Sequence, residues 1–179
     1  MIRYVALLRA VNLAGRNSVA MADLRAWMAD LGFANPRTLL QSGNVVFDAR
    51  EQATSKLEAR LESEAAARFR FDITFVVRTG EEIARVVARN PFRKEAAADP
   101  GHLLVVFLKA AAAPKNVKAL QEAIVGREIV HGDGPHLYAV YPDGAGRSKL
   151  TAALIERKLG AAGTARNWNT VKKLEELAC

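Results

Sequence analysis

Arg147, Ser148 and Lys149 follow two closely spaced glycines, Gly144 and Gly146, in the segment GAGRSKLT. A glycine-rich loop that leaves a strand and opens a helix can hold a phosphate, because its backbone N–H groups converge and the helix dipole adds positive potential. The spacing is not that of a P-loop, which needs four residues between its glycines and then Lys-Ser or Lys-Thr. Here one residue separates the glycines and Leu150 follows Lys149. Ser148 is expected to cap the next helix. Arg147 and Lys149 beside its positive end each cost about 0.3–1 kcal/mol, a sign that a bound anion reverses. The alternative is that both side chains extend into water and lose little.

A second strand-to-helix loop, near the N-terminus, carries Arg9, Asn12, Gly15, Arg16 and Asn17. Arg9 and Arg16 could contact the same kind of anion, whereas Asn12, Gly15 and Asn17 are also the residues a tight turn requires. Near the C-terminus, Arg166, Asn167, Trp168 and Asn169 join a cation, an aromatic ring and amides at a helix start, a group able to stack on and hydrogen-bond a nucleobase. Against this, Asn167 suits a helix cap and Trp168 a buried position.

Catalytic signals are weak. His131 and His136 flank a Gly-Asp-Gly-Pro turn with Asp133 between them. A metal site is not assigned there, because ligand number and supporting partners are missing. Ser42 and Ser148 have no evident base. Asp48, Glu51, Glu58 and Glu62 read as the solvated side of a helix and its entry. No catalytic residue and no cofactor is assigned.

Charge directs attention back to the basic stretch. From Gly144 to Lys173 seven cations (Arg147, Lys149, Arg157, Lys158, Arg166, Lys172, Lys173) face one anion, Glu156, so this segment carries +6 of the chain's net +7. A positive field and a pI near 9.9 favour phosphate-bearing partners. The longest apolar runs fall far short of the ~20 residues of a membrane helix. MIRYVALLRAVN lacks the cleavage site of a signal peptide, so a cytoplasmic location is expected. The single cysteine, Cys179, allows no internal disulfide.

The elements that must position these residues repeat. Ile2–Leu8 reads as a strand. Met21, Leu24, Trp27, Met28 and Leu31 form one helical stripe, ended by Gly32 in a left-handed cap on which Phe33 packs back. Arg37–Leu40 and Asn44–Phe47 form a hairpin closed by Ser42-Gly43. Glu51–Phe69 is a helix bearing Leu57, Leu61 and Ala65, and Ile73–Val77 is a strand. This is the split β-α-β-β-α-β order. After a helical connector at Glu81–Ala88 the order recurs: strand His102–Leu108, helix Lys115–Gln121, hairpin Arg127–His131 and His136–Tyr141, helix Leu150–Leu159, strand Gly163–Arg166. A last helix spans Trp168–Leu177. The expected class is therefore α+β, two tandem ferredoxin-like βαββαβ repeats with antiparallel sheets plus a C-terminal helix. The expected division is residues 1–89, a linker at 90–101 and residues 102–179.

Five segments, ALLRAVNLAGRNSVAMADLR, LGF…TLLQSGNVVF, NPF, GRSKLT and TARNWNTV, resemble the bacterial domain-of-unknown-function family 1697. The resemblance covers nearly the whole chain and implies tandem ferredoxin-like lobes, with no activity attached. Two positions depart from the family pattern: Ala10, where relatives carry glycine, and Ala20, where Lys or Pro is usual.

RNA-binding ferredoxin-like domains display aromatics on their central strands. SGNVVF lacks that pattern, and strand one offers only Tyr4. Nucleic acid, if bound, is expected in the groove between lobes, held through phosphates by Arg147, Lys149, Arg166 and Lys172. The function expected is a non-enzymatic, monomeric binder of a phosphate-bearing ligand, nucleic acid or nucleotide, through Arg9, Asn12, Arg16, Asn17, Arg147, Ser148, Lys149, Arg166, Asn167 and Trp168. The alternatives are an enzyme on a small anionic substrate and a protein-interaction module.

Overall fold

The computed structural model describes residues 1–12, 15 and 17–179. The first repeat runs β1 (Ile2–Arg9), α1 (Met21–Asp30), β2 (Ala34–Thr38), β3 (Asn44–Ala49), α2 (Thr54–Phe69) and β4 (Thr74–Thr79). Helices α3 (Gly80–Ala88) and α4 (Arg93–Ala98) follow. The second repeat runs β5 (Leu103–Leu108), α5 (Pro114–Ala123), β6 (Ile129–Asp133), β7 (His136–Val140), α6 (Ala152–Leu159) and β8 (Gly163–Asn167), before α7 (Trp168–Ala178). The two antiparallel sheets have strand orders β2-β3-β1-β4 and β6-β7-β5-β8, the ferredoxin-like order made twice. Helix α4 lies in a stretch whose apolar periodicity does not reveal it.

Two compact units result, one of Met1–Arg85 with Leu174–Cys179 and the other of Val86–Lys173. In the first, alternation along the strands sends Tyr4, Ala6, Leu8, Val45, Phe47, Phe75 and Val77 into one core with Leu24, Met28, Leu57 and Leu61 from the two helices. The opposite face is buried as well, at Val5, Leu7, Val46, Val76 and Arg78. In the second unit Val106, Leu108, Leu137 and Ala139 meet Leu120, Ile155 and Leu159 in the same way. The end of the chain belongs to the first unit: Arg3 and Arg37 both donate to the Leu177 carbonyl, at 3.5 and 3.3 Å.

Helix α1 ends as its sequence dictates. Gly32 has φ +85°, and the amides of Gly32 and Phe33 return to the carbonyls of Ala29 and Met28 at 2.9 and 3.2 Å, the paired bonds of a Schellman cap. The hairpins differ from expectation. Ser42-Gly43 is not a two-residue turn, because β2 stops at Thr38 and five residues connect it to β3. Gly43 (φ +81°) there lies so close to β1 that a Cβ would fall 2.7 Å from Val11 Cγ2 and 2.8 Å from Leu8 Cβ. The two-residue connection is instead Gly134-Pro135, between Asp133 and His136.

Asp48 and Glu58 are not solvated side chains. Arg3 Nε donates to Asp48 Oδ1 at 2.9 Å and Asn35 Nδ2 to its Oδ2 at 3.0 Å. Glu58 is buried and accepts from the Val77 amide at 2.9 Å, while Glu62 accepts from the Phe75 amide at 3.0 Å. Strand β4 is a sheet edge, and its outward N–H groups need acceptors that only tertiary packing can supply.

Two predictions follow from this geometry. Ala10 has φ +56°, in the left-handed region that burdens a Cβ, so Ala10→Gly raises stability by about 1 kcal/mol, read from urea unfolding. The hydrogen bonds from Arg3 and then Asn35 hold the Asp48 carboxyl below its ordinary 3.8. A lowered folded value contributes stability that is present above the ordinary value and lost as pH falls through the folded one. Urea midpoints measured from neutral pH downwards therefore fall less steeply below about pH 4 in Asp48→Asn than in the wild type.

Candidate functional site

The loop after β7 does not run straight into a helix. Ala145–Arg147 makes one 3-10 turn, Ser148 is extended (φ −74°, ψ 145°), and α6 begins only at Ala152. The helix cap is Thr151, whose Oγ1 accepts from the Leu154 amide at 3.2 Å, and not Ser148. Ser148 Oγ instead donates to the Glu128 carboxylate and accepts from the Leu150 amide at 3.0 Å. Four residues, Ser148 to Thr151, thus separate Arg147 from the first residue of the helix whose dipole was expected to act on it, and two, Leu150 and Thr151, separate Lys149 from it.

Arg147 and Lys149 are exposed and line a cleft of ≈ 330 Å³ together with Glu128, Asp143, Gly144 and Ser148. Its two acids are engaged by neighbours. Arg127 Nε donates to Asp143 Oδ2 at 3.1 Å and its Nη2 to Oδ1, a two-pronged pair that holds the Asp143 carboxyl below its ordinary range. Glu128 receives the Ser148 hydroxyl. Beneath the loop, Tyr141 donates to the Leu150 carbonyl at 3.0 Å. Burial, and then the charge of Glu128, push its phenol up to about 12.

The other cations of the basic stretch go elsewhere. Arg157 and Lys158 occupy the last turn of α6, where a cation is favoured by the dipole. Arg166 is buried, its Nη1 donating to Thr164 Oγ1 at 2.7 Å and to the Ala165 carbonyl at 2.8 Å. That burial pushes the guanidinium down to about 10. Asn167 Oδ1 accepts from the Thr170 amide at 3.0 Å and caps α7. Trp168 is buried, with one side in a shallow hollow beside Asn90, Arg93 and Ala97.

In the first repeat, Arg9 ends β1 opposite Thr74. Asn12 closes its loop: its amide group donates to the carbonyls of Val19 (3.0 Å) and Gln41 (2.7 Å), and its Oδ1 accepts from the Val19 amide at 2.8 Å. The Asn17 carbonyl accepts from the Asn12 amide at 3.1 Å. Arg16 lies outside the described residues. At the second hairpin Asp133 pairs with Arg89 at 3.0 Å, and buried His136 meets the Phe107 ring edge-on, centroids 5.5 Å apart. Among the described residues no three His, Cys, Asp or Glu side chains gather to hold a metal ion. No described helix is long and apolar enough to cross a membrane.

Two four-stranded antiparallel sheets, each built in β-α-β-β-α-β order and followed by a C-terminal helix, make this a two-repeat α+β protein. The chain belongs to the family described as protein of unknown function (DUF1697), whose model matches residues 1–138. It is similar in fold to the conserved bacterial protein SP0830 from Streptococcus pneumoniae, with a TM-score of 0.77 at 21% identity and 99% of each chain covered. Among curated proteins, nothing matches.

The roles of the two hydroxyls separate by mutation. Thr151→Ala costs about 1 kcal/mol and opens the Leu154 amide to hydrogen exchange. Ser148→Ala leaves Leu154 protected and opens Leu150 instead, as native-state exchange followed by NMR will show.

Proposed function

We propose that this chain is a non-enzymatic cytoplasmic binder of a phosphate-bearing ligand, nucleic acid or nucleotide, held in the cleft beside Arg147 and Lys149. The observation that carries this reading is the division of labour among the charges of that cleft. Asp143 is taken by Arg127 and Glu128 by Ser148, so neither acid is spent on the two exposed cations. Arg147 ends a short turn that starts from Gly144, whose φ of +84° bends the chain into it, and Lys149 stands two residues further on. Two cations on a bent backbone beside a hollow of mixed polar and apolar lining suit a phosphate group, which arginine meets with two parallel N–H donors and lysine as a point charge. The overall charge of +7 raises the local concentration of such ligands. With phosphates as the anchor and no set of base-reading side chains gathered at this cleft, binding is expected to depend on charge more than on base sequence.

The test is fluorescence anisotropy of labelled single-stranded and duplex oligonucleotides between about 50 and 200 mM salt, where several phosphate contacts change affinity by orders of magnitude. Binding is expected to weaken steeply with salt. The Arg147→Ala/Lys149→Ala variant is expected to bind less tightly, with a log-log salt slope smaller by about 2. No binding at the lowest salt removes nucleic acid as the partner, and nucleotides are then titrated against the same pair of proteins.

A further inference from the structure

Strand registers place the two repeats in correspondence. Val5 faces Arg78 across β1 and β4, and Val105 faces Arg166 across β5 and β8. Tyr4, Phe75 and Val77 of the first repeat therefore correspond to Leu104, Gly163 and Ala165 of the second. The first three are fully buried in their core. Their smaller counterparts leave a largely apolar hollow of ≈ 330 Å³ between the sheet and α6, lined among others by Leu104, Val106, Ala152, Ile155, Gly163 and Ala165. Its size falls in the range of about 300–1,000 Å³ typical of small-molecule sites. Ala165, on the floor of the sheet, is exposed, where its counterpart Val77 has no exposure at all.

A polar group is replaced along with the apolar volume. In the first repeat Glu62 and Glu58, one helical turn apart, accept from the outward amides of Phe75 and Val77. In the second, Glu156 accepts from the amide of Gly163, the counterpart of Phe75, at 3.2 Å. One turn before Glu156 stands Ala152, the first residue of α6, which brings no carboxylate. The amide of Ala165 points outward like that of Gly163, because backbone groups repeat their direction every second residue of a strand. The neighbouring arginine is held alike in both repeats: Arg78 Nη1 donates to the Val77 carbonyl, and Arg166 Nη1 to the Ala165 carbonyl, each at 2.8 Å. In the first repeat the Glu58 carboxylate lies 4.0 Å from Arg78.

We propose that this hollow binds a small free carboxylic acid with an apolar body. Its carboxylate accepts from the Ala165 amide in the position that Glu58 fills in the first repeat, beside Arg166 as Glu58 is beside Arg78. Its hydrocarbon fills the space that Phe75, Val77 and Tyr4 fill there. Lying next to Glu156 is no obstacle, since Glu58 and Glu62 already stand side by side in the first repeat. An added β-strand fits less well than a single acceptor, because Glu156 holds the Gly163 amide and Arg166 the Ala165 carbonyl. The hollow adjoins the Arg147 and Lys149 cleft, with Ser148 lining both, but the acid is held at Ala165 on the edge strand and its binding does not depend on the function proposed for that cleft.

The probe is 4-phenylbutyrate, with 4-phenylbutanol as the uncharged control, followed through the Ala165 amide resonance in two-dimensional NMR of the full chain. The acid is expected to shift that resonance saturably and to bind at least tenfold more tightly than the alcohol. Ala152→Glu supplies the missing carboxylate from the chain itself, so it should raise the thermal midpoint and weaken the acid at least tenfold. Should that variant not fold, Ala165→Leu, which fills the hollow with hydrocarbon, must show the same tenfold loss. An Ala165 resonance unmoved by the acid, or undiminished binding in the folded variant, overturns the proposal. Inorganic phosphate titrated in parallel reports on Arg147 and Lys149 and is expected to leave Ala165 unmoved, so the two sites fail or succeed separately.

Discussion

A sheet of four strands has two edges, and each edge carries a row of backbone N–H groups with no strand to receive them. Much of what distinguishes this protein follows from how that demand is met. On β4 two glutamates from α2 accept from the amides of Phe75 and Val77, so the edge is closed by the helix that also covers the core. The arrangement fixes the register of α2 on the sheet. It also explains a buried carboxylate, Glu58, beside a buried guanidinium, Arg78. Desolvation alone would penalise both, and the hydrogen bond from the Val77 amide and the nearby charge offset part of that cost. The guanidinium still has its pKa lowered, with burial as the largest cause.

The second repeat keeps the topology and relaxes the closure. Helix α6 is half the length of α2, eight residues against sixteen, and it carries Ala152 where α2 carries Glu58, so it offers a glutamate to only one of the two corresponding amides. Gly163 fits because a Cβ there would fall 2.8 Å from the Phe107 carbonyl and 2.9 Å from Leu108 Cδ2. The position is therefore held small by the strand beside it. One repeat has a sealed core, and the other a core with an opening along its edge strand. Function is grafted onto a scaffold and not dictated by it, so two copies of one topology need not be closed alike.

Charge is distributed by the same logic. The basic stretch looks uniform as a string of residues, yet its members serve different ends. Arg166 is buried under its own strand, Arg157 and Lys158 complement the end of α6, and Arg147 with Lys149 project from the loop after β7. A run of positive charge is thus one feature in the sequence and three in the molecule. Burial separates them, because a guanidinium stripped of water must be repaid by fixed acceptors while an exposed one keeps its hydration.

The α+β class, the repeated element order and the cap at Gly32 were legible in the residues, because periodicity of apolar side chains and the conformational freedom of glycine are local properties. Net charge and the basic loop were legible for the same reason. Local signals misled where the answer lay across the sheet. Ser42-Gly43 carries the residue types of a tight turn, but β2 ends early and Gly43 is needed for its approach to β1. Glu58 and Glu62 sit at helical spacing that reads as a solvated face, but the amides they accept from lie 19 and 13 residues further on. Ser148 has the chemistry of a cap, but Glu128 claims its hydroxyl and Thr151 takes the role. The hollow at Ala165 has no sequence signature at all, since it is defined by what the corresponding positions of the other repeat contain. The sequence by itself determined which segments are strands and helices and where the charge is concentrated. Only the tertiary structure decided which charged groups are buried, which edge amides find an acceptor and where space is left, because each depends on atoms brought together from distant parts of the chain.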